Sequence, residues 1–210
     1  MSLNFSRLVV MISGSGTNLQ AILDACGQGA PFGEPKLNAR VVGVFSNQAD
    51  AYGLVRAAAC GVPTVTCPKP RDMDRAVYDA HLAAQVAGYA PDWVILAGWM
   101  RLLSGVFLNH FPGRVINLHP ALPGTFPGTH AIQRAYAACQ AGETQKTGVM
   151  VHFVPDEGVD SGPVLASREI FFQPGEPLEQ FEVRVHAVEH ALLLETLKNV
   201  VSGNLNGSLI

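Results

Sequence analysis

Arg7-Leu8-Val9-Val10-Met11-Ile12 is an unbroken apolar run of strand length, and Ser13-Gly14-Ser15-Gly16-Thr17-Asn18 follows it directly. A run without polar alternation predicts a central parallel strand buried on both faces. Leu19 to about Ala25 then has helical spacing, with Thr17 or Asn18 as the expected cap. Strand, glycine-rich turn and helix together aim backbone N–H groups and a helix N-terminus at an anion. The loop is not a Walker A motif, because no Gly-Lys-Ser/Thr follows. It matches a dinucleotide fingerprint only in part, since Leu19 stands where the third glycine belongs and the second strand ends at Ser46-Asn47 without an acidic residue. A monophosphate therefore suits it better than a dinucleotide. A tight turn with no ligand is the other reading.

The alternation continues outward from this unit. Strands are predicted at Ala39 to Phe45, Pro63 to Thr66, Asp92 to Ala97 and from Val115, and helices at Ala51 to Cys60 (stopped by Gly61) and Asp72 to about Ala87 (stopped by Gly88). Gly98-Trp99-Met100-Arg101-Leu102-Leu103-Ser104 reads as a loop that becomes a short helix, and His130 to Ala141 as a helix. Thr147 to Val154 and Gly162 to Phe171 read as an antiparallel pair at the sheet edge. Leu178 to Val201 reads as one long amphipathic helix, with Phe181, Val185, Val188, Leu192, Leu193 and Leu197 on its apolar side. Gly203 to Gly207 is expected to be loose or a terminal hairpin. The fold expected is α/β: a doubly wound, mainly parallel seven-stranded sheet with helices on both faces and an antiparallel late strand. No repeat or linker divides residues 1–210, so a single domain is expected.

Composition narrows the class. With 48% hydrophobic and 15% charged residues the chain can bury a large core. A net charge of −3 with no basic block argues against a nucleic-acid surface, and no apolar run reaches membrane-spanning length. Met1 to Arg7 lacks a signal-peptide plan, which leads to a cytoplasmic expectation. Cys26, Cys60, Cys67 and Cys139 form no C-x-x-C pair and are read as reduced, mostly buried thiols. The i, i+4 pair His186/His190 lacks the H-E-x-x-H pattern, so no metal is expected.

The chemistry concentrates in Val115-Ile116-Asn117-Leu118-His119-Pro120. Asn117 and His119 sit two apart and so share one strand face, and Pro120 ends the ladder. An amide offers N–H donors to a developing oxyanion, and an imidazole moves protons near neutral pH. The pair suits attack on a carbonyl-level carbon without a covalent enzyme intermediate. A polar strand end with a surface histidine is the competing reading. In Asp156-Glu157-Gly158-Val159-Asp160-Ser161-Gly162-Pro163, either one carboxylate approaches His119 and raises its pKa, or the stretch is a solvated acidic turn. Ala97 to Leu103 is either a pocket for a flat heterocycle or ordinary core packing.

Together these stretches resemble the folate-dependent phosphoribosylglycinamide formyltransferases. The resemblance runs from Val9 to about Leu194. It rests on Ile12 to Ile22, Phe45-Ser46-Asn47, Leu96 to Arg101, Ile116 to Pro120, and Thr147-Gly148 through Val151-His152-Phe153-Val154 to Pro163. It implies direct formyl transfer from 10-formyltetrahydrofolate, as co-substrate, to the amine of glycinamide ribonucleotide. By this resemblance Gly16, Thr17 and Asn18 hold the ribonucleotide phosphate, and Glu189 contacts the glycinamide end. Arg75, Met100, Arg101, Leu102, Leu103 and Asn117 contact folate. Asn117 and His119 stabilise the oxyanion, and His119 hands a proton to the departing folate nitrogen. Asp160 keeps His119 protonated and helps deprotonate the amine. Residues 1 to about 110 would form the ribonucleotide half, and 111 to about 200 the catalytic and folate-binding half. Two positions depart from the family pattern: Leu122-Pro123-Gly124, and His186, where the family commonly has Gln. The resemblance leaves a homodimer open. Rival readings are a formyltetrahydrofolate hydrolase, a methionyl-tRNA or nucleotide-sugar formyltransferase, and a non-catalytic nucleotide- or folate-binding module.

Overall fold

The computed structural model describes residues 5–29 and 34–204. Among the described residues seven strands and six helices follow one another: β1 (Ser6–Ile12), α1 (Thr17–Ala25), β2 (Ala39–Ser46), α2 (Tyr52–Ala59), β3 (Thr64–Thr66), α3 (Arg75–Ala87), β4 (Trp93–Leu96), α4 (Gly105–Leu108), β5 (Val115–His119), α5 (Ala131–Gln140), β6 (Lys146–Phe153), β7 (Val164–Phe171) and α6 (Leu178–Val201). They form one sheet in the order β3-β2-β1-β4-β5-β6-β7. Neighbours from β3 to β5 are parallel, and β6 runs antiparallel between β5 and β7. The chain order reverses between β1 and β4, which opens a crevice beyond their carboxyl ends.

Strand alternation builds two apolar layers. Leu8, Val10, Ile12, Ile95, Ile116, Leu118, Val149 and Val151 face α1 and α6. Val9, Met11, Val94, Leu96 and Val115 face α3 and α4 through Tyr78, Leu82, Val86 and Phe107. The long helix spans the predicted residues, and Phe181, Val185, Leu192, Leu193 and Leu197 are buried while Val188 is partly so.

Two local expectations change. Neither Thr17 nor Asn18 caps α1; the cap position is Gly16, left-handed at φ 71°, with no side-chain cap bond. A Cβ on Gly16 would meet the Gly53 Cα at 2.6 Å, so the turn is pressed against α2. This contact demands glycine, and it moves the cap one residue upstream. Helix α3 starts three residues later than its apolar spacing suggests, because Asp74 caps it by accepting from the N–H groups of Ala76 and Val77 at 2.7 and 3.2 Å.

Of the cysteines only Cys26 is buried, and burial pushes its thiol up to about 12. Cys60, Cys67 and Cys139 are half-buried because they sit at or beyond element ends. The expected terminal hairpin falls mostly outside the described residues. No described helix is long and apolar enough to cross a membrane.

Replacing Gly16 by Ala should destabilise the fold by at least about 1–2 kcal/mol, the cost of a left-handed non-glycine residue alone. Urea denaturation should show a lower midpoint with an unchanged slope.

Candidate active site

The carboxyl ends of β1, β4 and β5 open into a cavity of about 840 Å³. The 13–18 loop, residues 96–103, Asn117 to Pro120, the start of α5, the 156–160 turn, and His186 and Glu189 of α6 line it. Gly16, Thr17, Asn18, Met100, Arg101, Leu102, Leu103, Asn117, His119, Asp160 and Glu189 all belong to this one wall system. Arg75 stands outside the lining; its Nη1 pairs with Glu157 Oε2 at 3.1 Å, and Glu157 does line the cavity.

Asn117 and His119 share the strand face of Val115, as period-two alternation requires. Here the apolar layer gives way to polar groups. In the β5–β6 register Asn117 lies opposite His152. Both side chains of the pair converge on Asp160. Asn117 Nδ2 donates to Asp160 Oδ1 at 3.0 Å, and His119 Nδ1 lies 3.3 Å from Asp160 Oδ2. The Gly128 N–H also donates to Oδ2, at 2.7 Å. Asp160 is held at φ 50°, a left-handed conformation, which turns its carboxylate back into the site. The stretch from Asp156 to Pro163 is therefore not simply a solvated turn.

His152 completes the cluster and is 2% exposed. Its Nδ1 faces the Phe153 carbonyl at 2.7 Å, so in the neutral ring Nδ1 carries the hydrogen. The bare Nε2 then accepts from Asn117 Nδ2 at 3.1 Å. Asn117 Nδ2 thus has a partner for each of its two hydrogens: Asp160 on one side and His152 on the other.

The net direction of the His119 shift differs from the expectation, although Asp160 acts in the expected sense. Burial lowers the ring's pKa below its ordinary value. The Asp160 carboxylate and the hydrogen bond to the Phe126 carbonyl pull it upward but do not prevail, and the His152 ring and the Arg134 guanidinium add to the lowering. His119 is 4% exposed, and an imidazolium loses more hydration there than one partly shared carboxylate returns. Asp160 moves the other way. Burial raises its carboxyl, but the His152 and His119 rings that face it, in their protonated forms, and the Gly128 N–H outweigh it and hold it below the usual range.

Arg134 of α5 ties down the loop that His119 touches. It donates to the carbonyls of Phe126 (2.8 Å), Pro127 (2.5 Å) and Thr129 (3.1 Å), while His119 Nε2 lies 3.1 Å from the same Phe126 carbonyl. These bonds fix the segment around the left-handed residues Phe126 and His130, next to the departure at Leu122-Pro123-Gly124.

At the phosphate-type loop, α1 begins without a side-chain cap, and Asn18 Oδ1 is buried without a hydrogen-bond partner. Arg56 of α2 donates to the Ser15 carbonyl at 2.9 Å, which sets a cation beside the loop. Ser13 joins this loop to the next, donating to Asn47 Oδ1 at 2.5 Å and accepting from the Met100 N–H at 2.8 Å. Met100 and Leu102 are 62% and 51% exposed on the rim, whereas Trp99 and Leu103 are buried. The 97–103 segment is therefore part core packing and part open apolar surface. On α6, Glu189 is buried and its Oε2 accepts from His186 Nδ1 at 2.6 Å. Among the described residues no group of three or more His, Cys, Asp or Glu gathers as metal ligands would.

Residues 6–197 match the family model described as formyl transferase. The phosphoribosylglycinamide formyltransferase of Schizosaccharomyces pombe is 42% identical over 209 residues, covering 95% of this chain and 99% of that protein. The Escherichia coli protein of the same name is 41% identical over 186 residues, covering 89% and 82%. The crystal structure of glycinamide ribonucleotide transformylase 1 from Symbiobacterium toebii superposes with a TM-score of 0.85 at 38% identity, covering 97% of this chain and 90% of that one. The chain belongs to the formyl transferase family.

In this formyl transferase Arg134 and Arg56 carry contacts that the sequence motifs do not single out, and His152, which lies inside one of those motifs, carries contacts for which the motif implied no role. His152 had a signal, since it stands on a predicted strand that pairs with the strand of Asn117. Arg134 and Arg56 had none, being helix residues whose targets are carbonyls of distant loops.

The two neighbours of His119 should act on its titration in opposite directions. Asp160→Asn removes an anion and should lower the midpoint further; Arg134→Gln removes a cation and should raise it. The imidazole C–H resonance of His119, followed by NMR against pH, reads both shifts. Equal midpoints in the two variants would contradict the assignment.

Proposed function

We infer that this chain transfers the formyl group of 10-formyltetrahydrofolate to the amine of phosphoribosylglycinamide, giving the N-formyl ribonucleotide and tetrahydrofolate. The observation that carries this reading is the Asn117–His119–Asp160 cluster, set between an anion-type loop and an apolar rim in one cavity of a formyl transferase.

The roles follow from the local chemistry. The backbone N–H groups at the start of α1, with Gly16, Thr17 and Asn18, receive the phosphate, and Arg56 adds positive charge beside them. Met100 and Leu102 offer exposed apolar surface to the flat ring of the folate, with Arg101 and Leu103 on the same wall. Arg75 is ion-paired through Nε with Asp79 at 3.8 Å and through Nη1 with Glu157 at 3.1 Å, and an acidic end of the folate would compete with Glu157 for Nη1. Glu189 takes the glycinamide end. The first half of the chain, to about residue 110, supplies the phosphate site; the second half, to about 200, supplies the catalytic groups; both contribute to the folate surface.

Attack by the amine on the formyl carbon places negative charge on the formyl oxygen and positive charge on the attacking nitrogen. An N–H of Asn117 turns to that oxygen. His119, neutral at rest because it is buried, takes the proton the amine sheds, directly or through water. The imidazolium so formed finds two acceptors in place, Asp160 Oδ2 and the Phe126 carbonyl. It then gives its proton to the departing folate nitrogen, which closes the proton cycle. Asp160 therefore stabilises a transient cation and does not maintain a permanent one.

Absorbance-monitored consumption of a 10-formyl folate should require glycinamide ribonucleotide. Consumption without it would identify a hydrolase, and none under either condition would leave a binding module. His119→Ala should lower turnover by about 10²–10⁴-fold, the usual contribution of a positioned general acid–base. Near-normal turnover in that variant would rule out the proton cycle.

A further inference from the structure

On α6, Glu189 and His186 stand one turn apart and both line the cavity. Glu189 is 5% exposed, and its Oε2 accepts from His186 Nδ1 at 2.6 Å. The His186 side chain is about half exposed, so it completes the carboxylate's surroundings from the wet side. We propose that His186 is a specificity-determining residue of the acceptor subsite, which sets the charge that Glu189 shows to the incoming amine. The inference rests on the reading of Glu189 as a ligand of the acceptor.

The physical argument concerns one proton. With His186 charged, the pair is an imidazolium held against a carboxylate, neutral overall, and Oε2 is fully engaged. With His186 neutral, Nδ1–H still donates, but the subsite carries a full negative charge. The hydrogen bond to Glu189 holds the His186 pKa above its ordinary value, and the charges of Glu189 and Glu182 act the same way against the opposing effect of burial. His190, on the same helix, is pushed below its ordinary value by burial. From α5, Gln133 holds Glu182 at 2.7 Å, and His130 lines the cavity; from α1, Thr17 and Asn18 bring no charge. Below its midpoint, His186 thus opposes an ammonium group and competes for Glu189. Above it, the uncompensated charge of the carboxylate attracts the acceptor.

The test compares wild type, His186→Gln and Glu189→Gln by KM for glycinamide ribonucleotide and by kcat, between about pH 6 and pH 9, where histidine titrates. Substrate ionisation is common to all three, so the ratio of wild-type KM to His186→Gln KM isolates the residue. Gln keeps a donor for Glu189 and removes only the charge. The ratio should rise about threefold to fivefold from the alkaline to the acid end, as expected for one half-exposed charge interaction. The midpoint of kcat, set by His119, should coincide in the two proteins. A ratio that is flat with pH overturns the proposal. So does a ratio that varies while Glu189→Gln keeps the wild-type KM, because His186 would then act without its carboxylate. An unchanged KM in Glu189→Gln separately removes Glu189 from the acceptor site.

Discussion

Asp160 enters the site from the turn between β6 and β7 on a left-handed backbone, and its carboxylate joins three separate segments. One oxygen takes the Asn117 amide of β5; the other takes the Gly128 N–H of the following loop and faces the His119 ring. The left-handed residue costs about 1–2 kcal/mol in isolation. Hydrogen bonds to a carboxylate offset it, because each is stronger than a neutral one. Without that anion the loop beyond Pro120 loses its tie to β6–β7, Asn117 loses the acceptor that orients it, and His119 loses its charge partner.

The sign of the His119 shift shows why such a cluster is hard to read from a chain. Proximity of a carboxylate to an imidazole argues for a raised pKa. The outcome depends on how much water the fold removes, which is a property of the packed layers and not of the motif. Val115 begins the same strand face in full burial, and His119 itself is 4% exposed. Desolvation then exceeds the attraction of an anion whose own charge is divided among several donors. A neutral imidazole beside waiting acceptors is the better state for taking a proton and releasing it again.

Much of the fold was legible because its signals are local. Uninterrupted apolar runs marked β1 and β4, glycine stops marked the ends of α2 and α3, and 3.6-residue spacing set the limits of α6. The shared face of Asn117 and His119 follows from strand geometry alone. Other features were not local. The cap of α1 is decided by how closely Gly53 approaches Gly16, a contact between residues 37 apart in sequence (53 − 16). His152 meets Asn117 only because of the β5–β6 register, and alternation along one strand cannot specify its partner's register. Spacing alone left Asp160 undecided among the acidic residues of its turn, and the family resemblance singled it out.

The commitment of both Asn117 hydrogens bears on how the oxyanion of the proposed reaction would be met. A carboxylate oxygen at 3.0 Å can only face the N–H₂ end of that amide, and His152 Nε2 holds the second hydrogen, so the amide is oriented before substrate arrives. Turning one N–H from Asp160 to a formyl oxygen exchanges one charge-assisted bond for another and leaves the count of hydrogen bonds unchanged. Asp160, still bound by Gly128, is then freer to face His119 as that ring becomes charged. In the proposed reaction the amide rotation and the proton transfer would draw on the same carboxylate in opposite senses: as Asn117 released Asp160, His119 would gain it. A site wired in this way reorganises little between its resting and reacting states, which is the condition under which fixed dipoles lower a barrier most.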